Sequence, residues 1–195
     1  MQNPFDPGYF TSPELRQFGF ARVGEECLVA RNCTIIGLEN ITLGDRVRID
    51  GFTSLIAPRG RIRIGSFVHI ASGCMLGARA GIEIGDFASL SQGVRVFTAI
   101  DDFSGARLSN AAVPPALTGV QSAPVTIGAY VPIGSGSIIL PGVTVGEGAA
   151  VDAMSRVTFN LTAWTINAGN PARATGPRSR DLLRLVPLAR GEEPA

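Results

Sequence analysis

A chain of 195 residues with 45% hydrophobic content is long enough for one domain with a real core and too short for two full ones. Its 17 basic and 16 acidic residues leave a formal charge of +1, which excludes the basic field that nonspecific nucleic-acid binding requires. Three cysteines match no common zinc or redox spacing and read as free thiols, and no run of about 18 apolar residues is present to cross a bilayer.

The first segment, residues 1–22, carries no basic stretch followed by an apolar one, so a cytoplasmic protein without a membrane partner is expected. Within it Ser12-Pro13-Glu14 predicts a helix start, with a hydroxyl cap, a proline at the first helical position and an acid in the first turn. Its apolar residues Leu15, Phe18 and Phe20 are placed to close one end of the domain.

From Val23 onward the chain repeats every six residues. Aliphatic residues recur at Val23, Val29, Ile35; Leu43, Ile49, Leu55; Ile64, Ile70, Leu76; and Ile84, Leu90, Val96. After an irregular segment the period resumes at Ile127, Ile133, Ile139, Val145, Val151 and Val157. Extra residues occur only after every third hexad: two, then three, then two, then the long excursion over 97–124. Insertions confined to one phase of three predict a triangular coil with one tolerant corner. Glycine comes directly after the aliphatic residue at Gly24, Gly44, Gly65, Gly85, Gly128, Gly134 and Gly146, where a chain that turns every six residues needs small side chains. The period is six rather than 3.6 and β-branched residues dominate it, so the prediction is an all-β chain. It is a parallel β-helix of about six triangular coils over residues 23–173, with a long excursion loop and short terminal helices. At the far end Trp164 is expected to lid the core, and SRDLLRLVPLAR, within the tail 174–195, reads as a short amphipathic segment carrying Leu182, Leu183 and Leu185.

The hexads IGSFVH, IASGCM, IGAYVP and IGSGSI, with ILPGVTVGEG and the later AGNPAR, resemble the hexapeptide-repeat acyltransferases, whose fold is a left-handed parallel β-helix. That resemblance implies the left hand, a homotrimer with active sites between neighbouring prisms, acetyl-CoA as acyl donor and no metal. The segment DDFSGARLSNAAVPP is most similar to the subgroup that acetylates sugars for surface polysaccharides, including the amino group of nucleotide-linked 4-amino-4,6-dideoxyhexoses. Galactoside and maltose O-acetyltransferases share the pattern but carry a histidine close to the position of Ile100. This chain lacks it.

Acyl transfer needs a nucleophile freed of its proton, a thioester held beside it and donors for the developing oxyanion. His69 is the only histidine, and strand alternation points it outward from the coil, so it is the candidate base; the alternative is a surface histidine. Asp101 and Asp102 open the excursion and are candidates to orient His69 or to hold the sugar's hydroxyl or ammonium, against ordinary turn chemistry. Arg79, Arg95, Arg107 and Asn110 are candidate contacts for sugar or pyrophosphate. From the resemblance, Gly134, Ser135 and Gly136 match the family's pantetheine-binding corner, Ala153 a backbone contact in the next coil, and Asn170, Pro171 and Arg173 its motif near the nucleotide end. Where many members have a lysine, this chain has Phe159, which leaves Arg156, Arg173 or Arg178 to neutralise the donor's phosphates. An O-acetyltransferase of a simple sugar and a non-catalytic structural β-helix are the alternatives. A carbonic-anhydrase-like zinc enzyme is set aside because one histidine per chain does not supply a three-histidine site.

Overall fold

The computed structural model describes residue 3 and residues 5–192; the remaining residues of the N-terminal segment and of the tail lie outside the described residues. Each turn of chain lays one short strand on each of three faces. Face one holds Arg22–Val23, Ile41–Leu43, Ile62–Ile64, Ile82–Ile84, Val125–Ile127 and Thr144–Val145. Face two holds Leu28–Ala30, Arg48–Ile49, His69–Ile70, Ser89–Leu90, Pro132–Ile133 and Ala150–Val151. Face three holds Thr34–Ile36, Ser54–Ile56, Met75–Gly77, Arg95–Phe97, Ile138–Ile139 and Arg156–Val157. Within each face successive strands pair in parallel and in register, as at Met75↔Arg95 and Leu76↔Val96. The hexad prediction of a parallel β-helix is met.

The same residues that set the period fill the core. Every marked aliphatic position is buried except Ile35, which is half-buried in the first coil. A second inward row, unmarked by the period, stands two residues before the first on face two: Cys27, Val47, Val68, Ala88, Val131 and Ala149. Removing each large aliphatic side chain from water contributes roughly 1.5–3 kcal/mol, so the prism is held mainly by this narrow column. The ends are closed by antiparallel additions: Tyr9–Thr11 pairs with Leu28–Ala30, and Thr165–Gly169 pairs with Ala172–Pro177.

The helix at the N-terminal end runs Ser12–Leu15, with Thr11 rather than Ser12 as its cap. The Thr11 amide and hydroxyl both donate to the Glu14 carboxylate, at 2.8 and 2.9 Å. Ser12 is instead buried, where its hydroxyl accepts the Cys27 amide at 2.8 Å. Leu15 seals the first coil, while Phe18 stays partly exposed, edge-on to Phe10.

The corner between faces one and two is built differently from the others. Phe67, Phe87 and Tyr130 occupy it in successive coils and Trp164 in the coil beyond Gly148, all four in left-handed backbone with φ between 58° and 62°. Such a conformation costs a non-glycine residue roughly 1–2 kcal/mol. The rings offset it by stacking, with centroids 4.6, 5.6 and 6.2 Å apart. The C-terminal segment, Asp181–Leu185 and Val186–Ala189, lies along this ladder, where Arg190 covers Phe87 and pairs with Asp86. Trp164 ends the ladder and is buried over the last coil.

The corner between faces three and one takes every insertion, as the spacing predicts. Beneath the excursion the coil is kept closed by buried Thr98, whose hydroxyl donates to Gly77 O at 2.8 Å and accepts the Ala80 amide at 2.9 Å. The neck of the loop is a two-stranded antiparallel pair, Ala99–Ile100 with Gln121–Ser122. Among the described residues no helix is long and apolar enough to cross a membrane.

Candidate active site

The excursion roofs an open cleft of about 360 Å³ on the outside of the tolerant corner. Its lining includes Asp101 and Asn110 from the loop and Arg79 from the preceding coil, three of the residues expected to bind substrate. Arg59 joins them from one coil further back and escaped the sequence reading. Arg59 and Arg79 sit in the short inserts after the second and third triplets, so the tolerance of that corner was itself the signal. Among the described residues neither guanidinium meets a carboxylate, whereas Arg16, Arg31, Arg46, Arg48 and Arg63 all do. Two unpaired cations beside one carboxylate suit a ligand with both phosphate and ammonium groups.

Other loop candidates serve the loop. Asp102 accepts the Ser104 amide at 2.8 Å, and hydrogen bonding from Ser104 draws its carboxyl below the usual range. The Ser109 hydroxyl donates to the Asp102 carbonyl. Arg107 donates to Ala116 O across the loop, and Arg95 stands on face three, beside Met75 and Ile138, outside the cleft lining. Asn110 accepts the Ala112 amide at 2.8 Å, which fixes its side chain at the cleft wall.

His69 points outward from face two, as alternation requires, but its partner is neither Asp101 nor Asp102. Its Nε2 lies 2.8 Å from Asp50 Oδ2. Burial alone would raise the Asp50 carboxyl. Hydrogen bonds from Arg48 Nε at 2.8 Å, from His69 and from the Tyr9 hydroxyl at 2.7 Å outweigh it and hold the group at about 2. The expectation that His69 and the Asp pair share one carboxylate–imidazole contact is therefore corrected within a single chain: they lie on different sides of the prism, and the orienting acid comes from the previous coil. The register explains this. Arg48 pairs with His69 across 21 residues, so Asp50 stands diagonally beside the imidazole.

The donor candidates gather at the corner between faces two and three. Gly134, Ser135 and Gly136 turn the fifth coil there; Gly136 has φ +70°, and the Ser135 hydroxyl donates to Gln92 Oε1 at 3.2 Å. A Cβ on Gly134 would stand 2.4 Å from the Ala153 amide nitrogen, so the coils touch too closely here for any side chain. The Ala153 amide donates to Asp152 Oδ1. Asn170 and Pro171 form the turn between the two terminal antiparallel strands. Arg173 lies over the Phe159 ring with its guanidinium carbon 4.3 Å from the centroid, so the aromatic that replaces the usual lysine carries a cation on its face. Arg156 stands exposed on face three. Arg178 is the exception. Its guanidinium donates to Tyr130 O at 2.6 Å and Gly148 O at 2.9 Å at the opposite corner, so it braces the aromatic ladder instead of facing the donor corner.

Comparison with known proteins agrees with the fold. A family model described as the hexapeptide repeat of succinyl-transferase matches residues 124–154. An Escherichia coli dTDP-4-amino-4,6-dideoxy-D-glucose acyltransferase is 37% identical over 91% of this chain and 92% of its own. The chain belongs to the hexapeptide-repeat acyltransferases. The Bacillus cereus N-acyltransferase AntD, solved with dTDP and 3-hydroxybutyryl-CoA, is also 37% identical, with a TM-score of 0.89 over 94% of this chain and 97% of its own. A maltose O-acetyltransferase from Clostridium difficile 630 is more distant, at 27% identity and a TM-score of 0.58 over 86% of this chain and 74% of its own. The chain is thus an acyltransferase of left-handed parallel β-helix fold, in the sugar N-acyltransferase subgroup that its excursion loop resembles.

Proposed function

We propose that this enzyme transfers an acyl group from acyl-CoA, with acetyl-CoA the donor tested first, to the amino group of a nucleotide-linked 4-amino-4,6-dideoxyhexose used in surface polysaccharides. The observation that carries the reading is the cleft in which Asp101 and Asn110 face the unpaired Arg59 and Arg79. The carboxylate suits an amino sugar's ammonium, and the arginines suit a diphosphate. The relatives supply the chemistry: AntD variants were solved with dTDP-4-amino-4,6-dideoxyglucose and Coenzyme A.

In the reaction the neutral amine attacks the thioester carbonyl, the nitrogen loses a proton, and the C–S bond breaks to release CoA as its thiol. Asp101 holds the amine. His69, steadied by Asp50, takes the proton and passes it to the departing thiolate. The backbone at Gly134, Ser135, Gly136 and Ala153 cradles the pantetheine arm, and Arg156 and Arg173 neutralise the phosphates, with Asn170 and Pro171 shaping that end. Because His69 and Asp101 belong to different sides of one prism, a complete site needs two copies, and the assembly is a homotrimer with its sites between protomers. Exposed apolar residues at the corner between faces two and three, Phe52 and Met154, and on face three, Ile36 and Met75, favour such packing. Acyl-CoA and nucleotide sugars are cytoplasmic metabolites, so the reaction belongs to the cytoplasm.

The test is CoA release with acetyl-CoA or 3-hydroxybutyryl-CoA against a panel of acceptors. Turnover is expected with dTDP-4-amino-4,6-dideoxyglucose or a close nucleotide-linked amino sugar. Transfer only to maltose or galactosides would replace this reading with O-acylation.

A further inference from the structure

Tyr9 reaches further than its place in the fold requires. The strand Tyr9–Thr11 pairs antiparallel with Leu28–Ala30, and alternation sends Phe10 onto the core while Tyr9 and Thr11 point away from it. The Tyr9 hydroxyl passes the first-coil strand of face two and donates to Asp50 Oδ1 in the second coil at 2.7 Å. The strand that delivers it is braced. Arg31 lies over the Phe10 ring, 4.2 Å from its centroid, and pairs with Glu14 at 2.9 Å, the same carboxylate that holds Thr11.

Asp50 is the hub of a closed network. Its Oδ1 accepts from Tyr9 and, at 2.8 Å, from Arg48 Nε, while its Oδ2 lies 2.8 Å from His69 Nε2. Arg48 Nη2 donates to the Tyr9 oxygen at 2.9 Å, with the guanidinium carbon 5.2 Å from the ring centroid. These groups leave one arrangement of protons. A guanidinium only donates and an ionised carboxylate only accepts, so the single Tyr9 proton goes to Asp50 and the Tyr9 oxygen takes the Arg48 N–H. Hydrogen bonding to Asp50 raises the Tyr9 hydroxyl above its usual range, which keeps it a donor. With Oδ1 occupied twice, Oδ2 faces the imidazole as an acceptor, and Nε2 must carry the hydrogen. The lone pair of the neutral ring then stands on Nδ1, which among the described residues has no hydrogen-bond partner, on a side chain that is half exposed. Ser89, the register neighbour of His69 in the next coil, brings no charge. The thiols of Cys33 and Cys74, within reach of the Asp50 charge, are raised by burial, Cys74 to about 11, and stay neutral.

We propose that Tyr9 is a positioning residue for acyl transfer: with Arg48 it fixes the Asp50 carboxylate so that His69 is held in the tautomer protonated at Nε2, and Nδ1 is the atom that takes the proton. This deepens the assignment of His69 as proton acceptor and rests on it. As the new C–N bond forms, Nδ1 takes the proton that leaves the amine nitrogen, and the imidazolium keeps its Nε2–H on Asp50. Nδ1 then gives that proton to the thiolate as the C–S bond breaks, which restores the neutral ring. Tyr9 and Arg48 neither gain nor lose a proton.

His69 is the only histidine, so untagged enzyme labelled with nitrogen-15 in its histidine ring reports this side chain alone. The experiment reads the tautomer by proton–nitrogen correlation at about pH 8.5, two units above an ordinary histidine. It also measures kcat and KM for acetyl-CoA and dTDP-4-amino-4,6-dideoxyglucose. Wild type, Tyr9→Phe, His69→Asn and Phe10→Leu are compared. Wild type is expected to show hydrogen on Nε2 alone. Tyr9→Phe is expected to show a mixture of tautomers and a kcat lower by about tenfold, a smaller loss than that of the imidazole itself, with both KM values unchanged. Phe10→Leu loosens the same strand without touching Asp50, so it should lower stability and leave tautomer and kcat as they are; a matching change in both would make Tyr9 a structural residue and overturn its role. Wild-type kcat and a single tautomer in Tyr9→Phe would overturn it equally, and hydrogen on Nδ1 in wild type would overturn the choice of reacting atom. Wild-type turnover in His69→Asn would remove the proton acceptor and this proposal with it, while transfer to the amino sugar, read in the same assay, would stand.

Discussion

Co-assembly of two defective copies separates the proposed site into its halves. Take His69→Asn in one copy and Asp101→Asn in another. Each variant alone is expected to lose activity, the first by about 10²-fold or more, since a positioned proton acceptor contributes on that order. His69 projects from face two, while Asp101 comes after face three, beyond the strand pair Ala99–Ile100 and Gln121–Ser122. If each site draws His69 from one protomer and Asp101 from its neighbour, random mixing at equal ratio leaves the first intact in half the copies and the second intact in half. About a quarter of all sites are then wild type at both residues; in trimers that contain both variants it is one site in three, so about a third of wild-type turnover returns in the purified mixed assemblies. If both residues acted within one chain, no mixed assembly would contain an intact site. The assay is co-expression with two different affinity tags, sequential purification and CoA release at saturating substrates, with the two single-variant proteins as baselines. Mixed assemblies that stay at those baselines while still binding acetyl-CoA would refute the two-copy site.

Asp50→Asn tests the support of His69. Its folded value of about 2 lies below the ordinary 3.8, so the ion's contribution is present above pH about 4 and is lost as pH falls toward 2. The variant should be less stable near neutrality, its deficit should shrink across that window in pH-dependent denaturation, and its turnover should fall with that of His69→Asn. A full stability difference persisting at pH 2 would refute the linkage. Arg178→Ala should reduce stability by about 1–3 kcal/mol, because two carbonyls lose a charged donor, with acetyl-CoA affinity unchanged in calorimetry. Gly148→Ala should cost about 2 kcal/mol or more in chemical denaturation, because its φ is +62° and a Cβ would stand 2.5 Å from the Trp164 ring. Leu76→Ala, at a fully buried position, should cost about 2–5 kcal/mol by the same measurement.

The prism was legible because its core is one-dimensional. A residue such as Leu76 packs on Leu55 below and Val96 above, the same strand position one coil away, so the core writes its period directly into the chain. Side-chain chemistry across coils was less legible, because it depends on coil length. Asp50 reaches His69 only because the intervening coil has 21 residues from Arg48 to His69 and places the two diagonally. The role of Arg178 was hidden for another reason. Its partners are the carbonyls of Tyr130 and Gly148, and nothing in either residue's identity says which carbonyls the corner leaves open.

The same logic explains where function sits. Flat faces are fixed by parallel pairing to the coils on either side, so a side chain on them is held in place but has little reach. The corner between faces three and one is free to grow, because Thr98 closes the coil beneath it and the loop's neck is paired with itself. A site that must hold a long acceptor and a long donor needs both properties. In the proposed site a rigid face would supply the imidazole of His69, and the tolerant corner would supply Arg59, Arg79 and Asp101. Loss of the loop histidine near Ile100 is therefore compatible with acyl transfer, provided that the acceptor is an amine and that a neighbouring prism presents His69 to the cleft.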